Sequence, residues 1–195
     1  MRQYFAGPLA DSLIVPQSAV SPGTTTTSIF SIAQSNKYLP LPYGQNAPSP
    51  GSMFRFRFGG LCTTVASSSN VGFNIYHGPG TSTTAFGTLL ASSSLVTTVA
   101  ATAGNWLIDG LLIYRAVSEA ATTSTCWLSA NFMINGPSSG TVTPVTGIIQ
   151  STAAVSVDTT GTGSAGTFGA LNVAIVPGTT GSSWTPEWTF LEQIN

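Results

Sequence analysis

From Phe54, the stretch Met53-Phe54-Arg55-Phe56-Arg57-Phe58 alternates aromatic and cationic side chains without a break. Successive side chains of a strand point to opposite faces, so Phe54, Phe56 and Phe58 share one face while Arg55 and Arg57 share the other. A period of two over six residues is a strand signal, and no helix of period 3.6 would segregate these residues. Gly59-Gly60 follows and permits a bulge or a bend.

The same reading extends outward from this stretch. Val71-Gly72-Phe73-Asn74-Ile75-Tyr76 alternates again and runs into the turn signal His77-Gly78-Pro79-Gly80, and Phe86–Ala91 is a shorter candidate. Asn105–Val117 is the longest strand-like run. Trp106, Ile108, Leu112 and Tyr114 face one way and Leu107, Leu111 and Ile113 the other, so the pattern predicts burial on both faces. Ser124–Asn135 carries Trp127, Phe132 and Ile134 and is expected to pair with it as a long hairpin across Glu119–Thr123. Val145–Gln150, Ala153–Asp158, Thr167–Val176 and Thr185–Ile194 are the remaining candidates. No segment of helical length carries an apolar stripe.

Composition shifts near residue 51. Seven of the prolines fall before it (Pro8, Pro16, Pro22, Pro40, Pro42, Pro48 and Pro50), and proline removes ladder donors. Residues 1–50 read as an extended arm with short edge strands, Ser12–Val15 and Ser28–Ala33, lying across a neighbour or wrapping its own domain. Residues 51–195 read as one domain. Many short strands with Gly/Pro/Ser-rich turns imply an all-β, antiparallel two-sheet sandwich, and long strand pairs with long connections favour a jelly-roll layout.

Charge is where the chain departs most from the average. Only 6% of its 195 residues are charged, against about 25% in an ordinary soluble domain. Hydrophobic content of 42% argues against disorder. A nearly uncharged, hydroxyl-rich surface gives up the charge repulsion that keeps proteins apart, so the composition reads as that of a protein living inside an assembly, with a neutral surface suited to high salt or an extracellular setting as the alternative. With net charge −1 and five scattered basic residues, there is no electrostatic case for nucleic acid or an anionic membrane. Leu9–Val15 is interrupted by Asp11 and bracketed by Pro8 and Pro16, which makes it neither a signal core nor a membrane span.

The chemistry-bearing residues are few. His77, the single histidine, sits beside a Gly/Pro turn and reads as an exposed loop residue with no nucleophile elbow near it. One histidine and two separated cysteines do not make a transition-metal site, and no catalytic residue, cofactor or metal is expected. Cys62 and Cys126 flank apolar runs and read as buried thiols, with a single bridge as the alternative. Asp109 and Glu187 are the carboxylates a glycosidase could use, against the plainer reading of solvated or interface groups. Asp109 lies among apolar neighbours and needs a partner, which Arg55, Arg57 or Arg115 could supply within the chain or across a subunit boundary. Trp184 and Trp188 are read as anchors of a terminal strand or interface, with a carbohydrate-stacking platform as the alternative.

The strand "MFRFRFGG" (residues 53–60), the strand "NWLIDGLLIYRA" (105–116) and the closing "WTFLEQIN" (188–195), in an Ala/Ser/Thr/Gly-rich chain, resemble small virion proteins of tailed phages. The closest likeness is to minor capsid or decoration proteins of actinobacterial phages, which are jelly-roll, tumour-necrosis-factor-like modules. The resemblance covers roughly residues 51–195 and is one of pattern. It implies a homotrimer on the outer capsid surface, assembled in the host cytoplasm, that cements neighbouring major capsid proteins and transfers no catalytic residues. Expected interface residues are Tyr4, Phe5, Tyr38 and Tyr43 of the arm, with Asp109, Arg115, Trp184 and Trp188 of the domain. A jelly-roll coat or tail/baseplate protein, or a carbohydrate- or receptor-binding module using His77–Thr84 and the two tryptophans, are the alternatives.

Overall fold

The computed structural model describes residues 19–29, 39–41, 48–64, 69–78, 87–98, 101–117, 124–135, 144–157, 170–178 and 181–194. Among these there is no helix. The strands are β1 (Thr27–Ser28), β2 (Leu39–Pro40), β3 (Met53–Thr64), β4 (Ser69–His77), β5 (Thr88–Ser93), β6 (Val96–Thr98), β7 (Ala101–Ala116), β8 (Ser124–Asn135), β9 (Val145–Gln150), β10 (Val155–Val157), β11 (Ala170–Pro177) and β12 (Ser183–Gln193). Every pairing is antiparallel.

The hydrogen-bonded order runs β1-β11-β4-β5-β9-β8-β7-β3-β12, so one continuous sheet stands where two separate sheets were expected. It curls until its halves meet across the core. Phe73 on β4 packs against Trp106 on β7, Phe132 on β8 and Trp184 on β12, none of which is on a strand paired with β4. Pairing is nested in sequence: β3 with β12, β4 with β11, β5 with β9, β7 with β8.

Phe54, Phe56 and Phe58 are all fully buried, as their alternation predicts, and so are Ile108, Leu112 and Tyr114 of β7. The expected burial of β7 on both faces does not hold: Leu107, Asp109, Leu111 and Ile113 are only partly covered. A curled sheet has one inside, and the second face of β7 turns outward. Gly59-Gly60 lie opposite a bulge. They make room for β12, whose bulge lies between Pro186 and Trp188, and a side chain on Gly60 would run into the Thr185 carbonyl.

Within residues 1–50, the described pieces lie on their own sheet. Thr27–Ser28 pair with β11 at one end of the sheet, and Val20 bridges to Trp184 of β12 at the other, through N–H···O bonds of 2.8 and 2.9 Å. Residues 20–28 therefore span the seam between the two ends. Ile29 and Leu41 are in the core. The expected edge strand Ser12–Val15 lies outside the described residues.

Candidate functional site

The outer face of β12, β3, β7, β8 and β9 brings together two of the sequence-derived candidates, Asp109 and Trp188. Register fixes its rows: Phe190, Arg57, Asp109, Asn131 and Ile148 lie side by side, and the next row holds Trp188, Gly59, Leu107, Met133 and Thr146.

At its centre, Asp109 takes two arginines at once. Arg57 stands directly opposite it on β3 and Arg55 one diagonal step away. Arg55 donates from Nε to Oδ1 at 3.2 Å and from Nη2 to Oδ2 at 2.9 Å. The Arg57 Nε donates to Oδ2 at 2.9 Å. Partial burial pushes the Asp109 carboxyl up, but the two guanidinium groups outweigh this and hold it below the usual carboxylate range. Of the three arginines considered as partners, Arg55 and Arg57 fill the role inside the chain; Arg115 is exposed. The carboxylate is therefore ionised and occupied, a structural ion pair and not a poised acid or base.

Around this centre exposed apolar side chains stand among the polar ones of Asn105, Asn131, Thr146 and Gln150. Leu61, Ile148 and Trp188 are 48%, 62% and 38% exposed. The Trp188 indole lies flat over Gly59, where any side chain would collide with its ring. A shallow depression of about 330 Å³ opens between Leu107, Asp109, Asn131, Met133, Thr146 and Ile148. The pattern of Trp, Met, Leu and Arg without Lys is the composition of a protein-interface centre.

The other candidates are placed differently. Trp184 is fully buried, with its ring packed on Phe73 and Trp106, so it anchors β12 in the core and cannot join Trp188 in a stacking platform. Its place follows from the bulge, which breaks the alternation between the two tryptophans. His77 is a correction to the exposed-loop reading: it is the last residue of β4, only 4% exposed, and its Nε2 shares a 2.9 Å hydrogen bond with the Tyr114 hydroxyl. β4 carries His77 inward opposite Leu171 as far as the Gly78 bend, and Pro79 and Gly80 of the turn signal lie outside the described residues. Burial raises the Tyr114 phenol well above its ordinary range, so it stays protonated beside His77. Asp109 and Glu187 are not brought together, because β3 lies between their strands and the two are about 10 Å apart sideways alone.

Cys62 and Cys126 are both buried and free. Cys62 pairs with Gly104 and Cys126 with Tyr114, ten residues apart on β7, or about 33 Å. No bridge within the chain spans that distance. Among the described residues no group of three metal-ligating side chains occurs. The arm residues Tyr4, Phe5, Tyr38 and Tyr43 lie outside the described residues. Compared with known proteins, the chain matches no family model, no curated protein and no solved structure.

Proposed function

We propose that this chain is a structural virion protein, a capsid decoration or cement protein that stabilises a lattice by burying surface against the major capsid protein. The observation that carries the reading is the outer sheet face: exposed Leu61, Ile148 and Trp188 surround a charge cluster that is already compensated. Such a face loses little electrostatic solvation when covered and gains from every apolar group removed from water. The virion assignment draws on the pattern likeness of residues 51–195. The nested pairing of β3 with β12, β4 with β11, β5 with β9 and β7 with β8 supports a jelly-roll-like winding for this domain. In this reading Tyr4, Phe5, Tyr38 and Tyr43 supply arm contacts on the lattice.

The test is occupancy on particles. Immunogold labelling of intact particles from lysates that contain the protein should decorate their outer surface at a regular copy number. Absence of the protein from purified particles overturns the proposal. One observation favours a second reading, a glycan-binding module: the part-exposed Trp188 indole over Gly59, on the same sheet face as the depression lined by Asp109 and Asn131. Glycan-array binding abolished by Trp188→Ala, on a protein absent from particles, would favour that alternative.

A further inference from the structure

We infer that the outer face of β12, β3, β7, β8 and β9 is a self-association surface, on which a second copy of this chain packs about a two-fold axis running along the strands between β3 and β7. The inference deepens the assembly reading above and rests on it for biological purpose; a copy seated here takes the outer sheet face, and the lattice contacts then fall to the arm and the remaining surface.

The first argument is charge. Arg55, Arg57, Asp109 and Glu192 share this face in the register β12, β3, β7, with the acids on the outer two strands and both arginines on the strand between. The face thus carries two cations and two anions and needs no counter-charge from a partner. A two-fold axis along the strands keeps each residue at its own height and exchanges β3 with β7. Arg57 and Asp109 are direct register partners, so Arg57 of each copy then stands over Asp109 of the other. The pair within each chain becomes a four-membered alternating network.

The second argument is shape. The same operation places Leu107 over Gly59, the position where the Trp188 indole lies flat, and sets Trp188 over Met133. Each contact occurs twice, as an isologous interface requires. The third argument is area. Five strands are about 24 Å wide, and the outward residues Met53 to Leu61 span about 27 Å, an upper bound of about 650 Å² on a face that curves away at its sides and that β9 covers only beside Ser129–Ile134. This lies below the ~800 Å² per partner of a standard interface, so a reversible dimer is expected. Facing sheets pack about 10 Å apart at a small angle, so the central rows fit best and the corners splay.

The test uses the full chain. Light scattering should give twice the 20.0 kDa chain mass. Leu107→Asp sets a carboxylate against the partner's indole and should weaken association about thirty-fold or more, with an unchanged circular dichroism spectrum. A monomer, a trimer such as the phage likeness implies, or a Leu107→Asp variant that associates as tightly as the wild type overturns the two-fold arrangement. Particle occupancy separates the two proposals: a monomer that still decorates particles removes only this inference, and a dimer absent from particles removes only the virion role.

Discussion

Ser151 shows how much of this fold hangs on single polar side chains. Its N–H donates to the Leu128 carbonyl at 2.9 Å, and its hydroxyl accepts from the Leu128 N–H at 3.1 Å while donating to the Leu90 carbonyl at 2.8 Å. It sits where the chain leaves β9 and joins β8 to β5 at the point where the sheet turns. Ser151→Ala leaves a buried donor and a buried acceptor unmade, at about 1–3 kcal/mol. Thermal unfolding should shift down by about 2–4 °C for each kcal/mol, whereas an unchanged Tm would mean the two backbone groups find other partners. Asp109 behaves otherwise, since part-exposed ion pairs are individually weak. Its depressed folded pKa makes its contribution present above the unfolded value of about 3.9 and lost as pH falls through the folded one. The Tm gap between wild type and Asp109→Asn should therefore be present at neutral pH and close in acid; a gap that persists at about pH 2 contradicts the ion-pair account. The thiols give a third check. Burial pushes Cys62 and Cys126 up to about 12, so neither is ionised at neutral pH. Both should resist alkylation in the native protein and react in denaturant.

At the scale of the strand, legibility follows from whether a residue's place depends on its neighbours in sequence or in space. The burial of Phe54, Phe56 and Phe58 was legible because period-two alternation is local. The direction of β7's second face was not, because both faces read as apolar and only the curl of the sheet decides which is inside. The exposed-loop reading of His77 fails because β4 runs through it to the edge of the turn signal, and the bulge two residues after Trp184 is what decides that this tryptophan, and not Trp188, anchors β12 in the core. Asp109 was legible as a charge in need of a partner, and two of the three arginines proposed for it do pair with it, but only the β3–β7 register selects them. Gly110 is a test of packing at this scale. It faces the core between Ile108 and Leu112, and a Cβ there would lie 2.5 Å from Phe56 Cζ and 2.5 Å from Ala130 Cβ. Gly110→Ala overpacks two strands at once and should cost about 1–3 kcal/mol in urea unfolding. A neutral result would show that the Phe56 ring has room to move.

The whole molecule is a sheet whose two ends are held by a segment from far away in sequence. Residues 20–28 run from Trp184 on β12 to Ala174 on β11, and Ile29 donates its N–H to Val173 at 2.9 Å as it enters the core. Among the described residues a few backbone bonds make this closure, against the long β3–β7 and β7–β8 ladders that form the body of the fold. Stability should therefore be uneven, with the seam opening at lower free energy than the centre. Val20→Pro tests this because it removes the N–H that donates to the Trp184 carbonyl and leaves the rest of the sheet intact. Amide exchange at Trp184 and Ile29 should accelerate while that of Ile108 and Leu112 on β7 holds at the wild-type rate. The buried Trp184 indole should shift its emission to the red as the seam loosens. Equal acceleration at β7 would mean that closure and core unfold together, and that the curl of the sheet depends on this one bridge. Exchange confined to the seam would mean that the long ladders impose the curl and residues 20–28 only fasten it.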